Sequence, residues 1–193
     1  RFVETFSGDA LDTDRWATVN VAGTNTFQMA DSVDGGFEII SGATTGNRGM
    51  INFGGIRPFD PQAFELISTY SNGNIIYGMY YVGLTTGNDF PASAVDSVSV
   101  EQGNNNGNIQ LRTSIGSANT TVASTTARSE DVAKTFKLVG TGSNVIMTIN
   151  GIDSTVSTTN RPTAKMQPAF MAHAEAGAGA RAINIRYLEC YNT

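Results

Sequence analysis

The acidic residues of the run from Asp96 to Glu101 are the first candidates for catalysis. Glycoside hydrolysis uses two carboxyl groups about 5 to 10 Å apart, both directed at one bond. Asp96 and Glu101 are separated by five positions, and successive side chains of a β-strand point to opposite faces. If this run is a strand, the two carboxylates lie on opposite faces, and Val98 and Val100 occupy positions where further carboxylates would be needed. We therefore expect no hydrolytic pair here.

The other nucleophiles and bases of the chain do not form a recognisable catalytic set. His173 is the single histidine and Cys190 the single cysteine, which is too few nitrogen and sulfur ligands for a zinc site. No Gly-x-Ser-x-Gly segment is present to expose a nucleophilic serine. Cys190 is predicted to be a small apolar residue of the last strand, and His173 a strand residue. We expect a protein that is not an enzyme.

Binding of a glycan is the chemistry that the remaining polar and aromatic residues could support. Tyr77 and Tyr81 share a face if their run is a strand, and Asn104, Asn105 and Asn106 form the tip of a predicted polar hairpin. Aromatic rings can stack on sugars and amides can bond to hydroxyls. Core packing of the tyrosines and a solvated turn for the asparagines are the alternatives, and both stay open.

Bound metals and cofactors find little support in the sequence. No phosphate-binding or dinucleotide-binding loop stands in the required context before a helix, and no cofactor is predicted. Calcium stays open, because Ca²⁺ takes six to eight oxygen ligands and loop aspartates are frequent. Asp9, Asp12 and Asp14 form the densest group. Turn formation before Trp16 is the simpler interpretation of these three residues.

The charge of the chain excludes two classes of partner. The formal net charge is −5, charged residues make up 15% of the chain, and no basic run is present. Nucleic acids and anionic membranes attract clustered positive charge, so neither is an expected partner. No stretch approaches the ~20 apolar residues of a membrane-spanning helix, and we expect no membrane insertion.

Alternating apolar and polar residues dominate the chain and predict β-strands. Dense Gly and Asn punctuation separates these runs, as tight turns require. Residues 129–133 are the best helical candidate and predict one turn within a loop. No linker interrupts the pattern, so residues 1–193 are predicted to form one all-β domain of two antiparallel sheets. The predicted core contains Val98, Val100, Ile109, Leu111, Phe136, Leu138, Val145, Met147, Ile149, Ile183 and Ile185.

Three segments carry a resemblance to a known family. The opening FSGDALDTDRW, the run FKLVGTGSNVIMTING and the closing INIRYLE resemble concanavalin A-like lectin/glucanase (laminin G-like) jelly-roll domains, in particular those of phage and virus structural proteins. The resemblance implies a two-sheet jelly-roll sandwich. It also departs from the glucanases, which carry Glu-x-Asp-x-Glu on one strand, because that triplet is missing.

The resemblance and the missing catalytic set together predict the function. We expect a non-enzymatic virion surface protein, either a capsid decoration or a tail appendage, that contacts other virion proteins, assembles as a homo-oligomer and meets host surface glycans. The alternatives are an extracellular carbohydrate-binding module and a glycoside hydrolase with displaced carboxylates. Leu188 and Cys190 of the closing strand are expected on the face opposite Ile183, Ile185 and Tyr187, which suggests that this strand is covered. Pairing with the N-terminal segment is the favoured cover, and another subunit is the alternative.

Overall fold

The fold was taken from a computed structural model, which describes residues 1–30, 35–73, 78–90, 95–103, 107–175 and 180–193. No helix in those ranges is long and apolar enough to cross a membrane. The described strands follow one another as β1 (Phe2–Glu4), β2 (Ala17–Ala22), β3 (Thr26–Met29), β4 (Phe37–Ser41), β5 (Arg48–Asn52), β6 (Phe64–Asn72), β7 (Gly78–Thr85), β8 (Ser97–Gln102), β9 (Asn108–Ile115), β10 (Ala118–Ala127), β11 (Lys134–Gly140), β12 (Val145–Ile149), β13 (Asp153–Ser157), β14 (Gln167–Ala174) and β15 (Arg181–Asn192).

Two antiparallel sheets pack face to face, which confirms the predicted fold class. Sheet A has eight strands in the order β13-β12-β11-β6-β15-β4-β3, and β1 pairs with β15 beside this path. Sheet B has seven strands in the order β10-β9-β8-β7-β14-β5-β2. Consecutive strands such as β4 and β5 lie in different sheets, so the chain crosses repeatedly between the layers. This arrangement buries the inner face of each sheet against the other.

The predicted core is confirmed at every position. Each of its eleven members belongs to the main hydrophobic cluster between the sheets, and none is more than 2% exposed. Trp16 joins the same cluster and contacts the rings of Phe6 and Phe53. The helical turn predicted at residues 129–133 is wrong, because Asp131 has a φ of 53° and its N–H donates to the carbonyl of Asn72. These residues form the irregular connection between β10 and β11.

The last strand pairs with the first, as expected, but its alternation is interrupted. Phe2 lies opposite Cys190 in the antiparallel pair of β1 and β15. A register shift between Ile185 and Tyr187 marks a β-bulge. Because the extra residue restarts the alternation, Leu188 and Cys190 point into the core, where both are fully buried. The expectation that they lie opposite Ile185 was therefore wrong.

Close packing of β7 against β8 fixes the position of the strand that carries Glu101. A Cβ at Gly83 would lie 2.0 Å from the carbonyl oxygen of Val98 and 2.7 Å from the Cα of Ser99. Only glycine fits at this point, since real side chains do not approach backbone atoms so closely. The register pairs Gly83 with Ser99 and Tyr81 with Glu101. These pairs lie on the face of sheet B that points away from sheet A.

Candidate functional site

The face of sheet B that points away from sheet A collects most of the polar candidates. We call it the outer face of sheet B. On β8, Val98 and Val100 point into the core, so the outer face receives Ser97, Ser99 and Glu101. The register places Arg112 of β9 beside Ser99. The candidates from different strands thus meet across neighbouring positions of one surface.

The carboxylate pattern on β8 has to be counted from Glu101. In even steps from Glu101, the outer positions are Ser99 and Ser97, not the valines to which the sequence interpretation pointed. The spacing therefore matches Glu-x-Asp-x-Glu with serine at the first two positions and glutamate at the third. Both serine Oγ atoms are buried and have no hydrogen-bond partner among the described residues. Counting every second residue back from Glu101 could have identified this outer row of β8 from the sequence.

Glu101 is buried and paired with an arginine. Its side chain is 6% exposed, and Nη1 of Arg112 lies 3.3 Å from its Oε2. Burial raises the pKa of Glu101, because the charged form loses solvent, while the charge and hydrogen bond of Arg112 oppose that rise. The nearby Glu175, whose own pKa burial also raises, adds a smaller upward effect on Glu101. Glu101 thus combines a raised pKa with a fixed cationic partner.

Residues 86–90, which follow β7, lie over this outer face, and we call them the covering segment. Gln167 Nε2 donates to the carbonyl of Gly87 at 3.2 Å. Asn52 Nδ2 donates to Asn88 Oδ1 at 2.9 Å. These two contacts tie the beginning of the segment to strands β14 and β5.

The end of the covering segment adds an ion pair and a ring stack. Arg48 Nη1 lies 2.5 Å from Asp89 Oδ2. The rings of Phe90 and Tyr81 stack at 5.6 Å between centroids, with 9° between their planes. Phe90 and Tyr81 form a second hydrophobic cluster with Met50, Ala169 and Met171. A small apolar core therefore occupies the centre of the outer face.

Among the predicted glycan contacts, Tyr81 is the one that lies within the described residues. Tyr81 lies on the outer face, but its side chain is fully buried under Phe90. Burial raises the pKa of its hydroxyl well above the usual value. The prediction that Tyr81 contacts a glycan is wrong for this arrangement, because neither ring face is accessible. Tyr77 and Asn104, Asn105 and Asn106 lie outside the described residues, and their roles stay predictions.

The loop aspartates act on the backbone and on a neighbouring arginine. Asp12 Oδ1 accepts a hydrogen bond from the N–H of Asp14 at 3.1 Å, and its carbonyl accepts from Trp16 at 2.9 Å. Asp12 also lies 3.3 Å from Nε of Arg15. Within the described ranges, no group of three or more His, Cys, Asp or Glu side chains could hold a metal ion. The Asp12 contacts fit the interpretation as a turn.

His173 and Cys190 occupy different surroundings. His173 pairs in register with Arg48 on the outer face of sheet B. Burial, and then the charge of Arg48, lowers the pKa of His173 to about 4. Cys190 is a fully buried core residue, and burial raises the pKa of its thiol. The prediction that Cys190 packs as a small apolar residue is confirmed.

Comparison with known proteins identifies the fold but no close relative. No protein-family model matches the chain, and no curated protein sequence matches it. Among solved structures, the GH16 protein of the Bacteroides ovatus mixed-linkage glucan PUL, in complex with a product, matches with a TM-score of 0.70 and 12% identity over 98% of this chain and 99% of that chain. The Bacillus licheniformis β-glucanase matches with a TM-score of 0.70 and 10% identity over 100% and 97%.

A third match has the same character. A prokaryotic β-1,3-1,4-glucanase (lichenase) from a mouse hindgut metagenome gives a TM-score of 0.70 at 10% identity, over 99% of this chain and 98% of that chain. At such identities the likeness establishes the fold alone, and function belongs to the site. The chain therefore has the concanavalin A-like jelly-roll fold, similar to that of GH16 glucanases. The link to virus particles stays a prediction.

Proposed function

We propose that this chain is a non-enzymatic β-sandwich domain with a structural role at the surface of a larger assembly. One observation carries the proposal: the outer row of β8 reads Ser97, Ser99 and Glu101, and an arginine neutralises the single carboxylate. The fold is similar to that of glucanases, and serine stands at two of the three positions of the Glu-x-Asp-x-Glu spacing on β8.

Hydrolysis of a glycoside needs two carboxyl groups in different roles. Retaining enzymes place them about 5 to 5.5 Å apart, and inverting enzymes about 6.5 to 9.5 Å apart. The serine hydroxyls at positions 97 and 99 cannot replace a carboxylate, because they are not ionised near neutral pH and no described base bonds to them. Glu101 alone could donate a proton but would have no partner on its own row.

Access supports the same proposal. A polysaccharide bound across the sheet would have to cross its centre, where Tyr81, Met50 and Met171 are fully buried. Phe90 covers this centre by stacking on Tyr81. Asp89, which precedes Phe90, forms an ion pair with Arg48 of β5. The covering segment would have to leave the sheet before a chain of sugars could approach Glu101.

The direct test is an assay for new reducing ends on mixed-linkage β-glucan, agar and carrageenan. We expect wild-type protein to release no more sugar than Glu101→Gln, which keeps the size of the side chain and removes its acid. Thermal melting of both proteins checks that they are folded. Activity in the wild type that falls at least about 100-fold in Glu101→Gln would overturn the proposal, since loss of a general acid costs about that much or more.

A hydrolase with displaced carboxylates is the second candidate, and one observation favours it. Burial is the main cause of the raised pKa of Tyr81, and the charges of Glu101, Glu175 and Asp89 raise it further while Arg112 opposes them, so the outer face brings several acids into the neighbourhood of this hydroxyl. The same assay addresses this alternative, with Asp89→Asn and Glu175→Gln added. Activity that depends on either residue would favour displaced catalysis over a structural role.

The proposed setting is the surface of a virus particle, with an extracellular carbohydrate-binding module as the alternative. The support is the sequence resemblance to phage and virus structural proteins together with the altered β8 row. Mass spectrometry of purified particles from the source sample would test it. Recovery of the protein in particles, at a fixed ratio to the main capsid protein, is expected. Recovery only in the particle-free culture fluid would contradict it.

A further inference from the structure

We propose that a cavity at the β2 edge of the outer face binds an acidic saccharide unit through Arg57. The cavity has a volume of about 350 Å³ and lies between β2, the turn after β5 and the covering segment. Small-molecule sites commonly measure roughly 300 to 1,000 Å³, so one or two sugar rings are an appropriate size. The lining residues used below are Ala17, Val19, Asn52, Arg57, Asn88 and Gln167.

Arg57 gives the cavity its charge. Its side chain is exposed and forms no ion pair or hydrogen bond with the described residues, whereas Arg48 and Arg112 on the same sheet are both paired with acids. None of the described residues lining the cavity is acidic. In a protein with a net charge of −5, this is a local positive site. Guanidinium groups bind carboxylates and sulfates with two parallel hydrogen bonds.

Two buried amides form a rigid polar floor beside Arg57. Asn52 is fully buried and its Oδ1 accepts from the N–H of Gly54 at 2.8 Å. Gln167 is 1% exposed and its Oε1 accepts from the N–H of Gly55 at 2.9 Å. Gly54 has a φ of 61° and Gly55 a φ of 93°, which only glycine adopts readily. The turn that leads to Arg57 is therefore held in place by side chains of the sheet.

Asn88 supplies a free donor at the rim. Its Oδ1 is occupied by Asn52 Nδ2, which fixes the orientation of its amide. Its Nδ2 has no partner among the described residues and carries two N–H groups. Opposite the polar side, Ala17 and Val19 of β2 supply an apolar wall. A sugar ring with one acidic group presents the matching set: an apolar ring face, hydroxyl acceptors and an anion.

This inference goes beyond the proposed function, because binding at the cavity does not depend on whether the protein cleaves sugars. Two sources could supply the anion, a uronic acid carboxylate or a sulfate ester. Titration calorimetry with tetragalacturonic acid, a carrageenan tetrasaccharide and neutral cellotetraose separates them. Chromatography of the same samples detects cleavage independently, so failure of binding and failure of the non-enzymatic proposal are distinguishable.

Two variants test the assignment of residues. Arg57→Ala should weaken binding of the acidic tetrasaccharide at least about tenfold, as expected for loss of a charge-assisted pair. Asn88→Asp keeps the acceptor for Asn52 and places a negative charge at the rim, so it should also weaken binding. Lys137→Ala is the matched control, because it removes one positive charge from the partly exposed Glu65 pair on sheet A. It should leave affinity unchanged.

Each outcome of the titrations either supports or overturns the acidic-saccharide site. Binding of one or both acidic tetrasaccharides, lost in Arg57→Ala and kept in Lys137→Ala, supports the proposal and identifies the anion. Equal affinity for cellotetraose, or an affinity that Arg57→Ala does not alter, would overturn it. Absence of binding by both acidic sugars at millimolar concentration would overturn it as well.

Discussion

Replacement of Phe90 by alanine should detach the covering segment and expose the centre of sheet B. Phe90 is fully buried although it lies outside the main core, where its ring stacks on Tyr81 in a cluster with Met50, Ala169 and Met171. Truncation of a buried phenylalanine costs about 3 to 5 kcal/mol. Residues 86–90 can settle partly onto the sheet, so we expect a value at the lower end, about 3 kcal/mol.

Urea unfolding at pH 7, followed by tryptophan fluorescence of Trp16, measures this change. For a slope of about 2 kcal/mol per M, the midpoint should fall by about 1.5 M. Phe90→Leu keeps most of the apolar volume and should cost only about 1 kcal/mol. In Phe90→Ala the pKa of Tyr81 should also move toward its ordinary value, because burial is the main cause of its rise. Spectrophotometric titration of tyrosine detects that movement.

One result would refute the reasoning about the covering segment. If Phe90→Ala lowers the free energy of unfolding by less than about 1 kcal/mol and the tyrosine titration is unchanged, Phe90 does not cover the sheet in solution. The outer face would then be open, and Glu101 would be accessible to substrates. A blocked surface would then no longer speak against hydrolysis, whereas Ser97 and Ser99 in the β8 row still would.

Three further predictions concern stability. His173→Gln should lose less stability than the wild type when the pH falls from 7 to 4. The lowered pKa of His173 makes the folded state bind fewer protons than the unfolded chain in that range. Thermal melts of both proteins at several pH values give the difference, and the same dependence of melting temperature on pH in both would contradict the prediction. Leu188→Asp should leave no folded monomer, since Leu188 is fully buried. Val3→Asp should fold, because the side chain of Val3 is 41% exposed. Circular dichroism distinguishes the two variants, and a folded Leu188→Asp monomer would refute the placement of Leu188 in the core. Gly83→Ala should separate β7 from β8 at the Val98 carbonyl and unfold at a clearly lower urea midpoint than wild type; an unchanged midpoint would disprove the close approach.

The alternation of the strands could be read from the sequence because each core strand contributes one inward residue in every two. That rule placed Phe136, Leu138 and the other core members correctly. It also placed both valines of β8 correctly. It failed at β15, where a bulge between Ile185 and Tyr187 restarts the alternation. The apolar positions change there from odd to even numbers, and the sequence interpretation took this change for apolar residues on both faces of an unbroken strand. The search for a carboxylate row on β8 failed because counting began at Asp96, which lies before the strand.

The covering segment is the part of the candidate site that the sequence could not predict. Residues 86–90 have no periodicity, and their contacts with Arg48, Asn52 and Gln167 join positions far apart in the chain. Tyr81 is buried by tertiary contacts, which include the stack on Phe90 and packing against Met50 and Met171. Tertiary contacts of loops, rather than local propensity, decide which outer-face residues meet solvent.

The pairing of β1 with β15 has a consequence for how this domain can be carried within a longer polypeptide. Because Phe2 lies opposite Cys190 in an antiparallel pair, Arg1 and Thr193 emerge side by side. A host protein could accommodate the sandwich as an insertion in one of its loops without its own flanking segments moving apart. By the same geometry, a short peptide could join the two ends, and new ends could be opened at the Asn150–Gly151 turn to give a circularly permuted chain with the same two sheets.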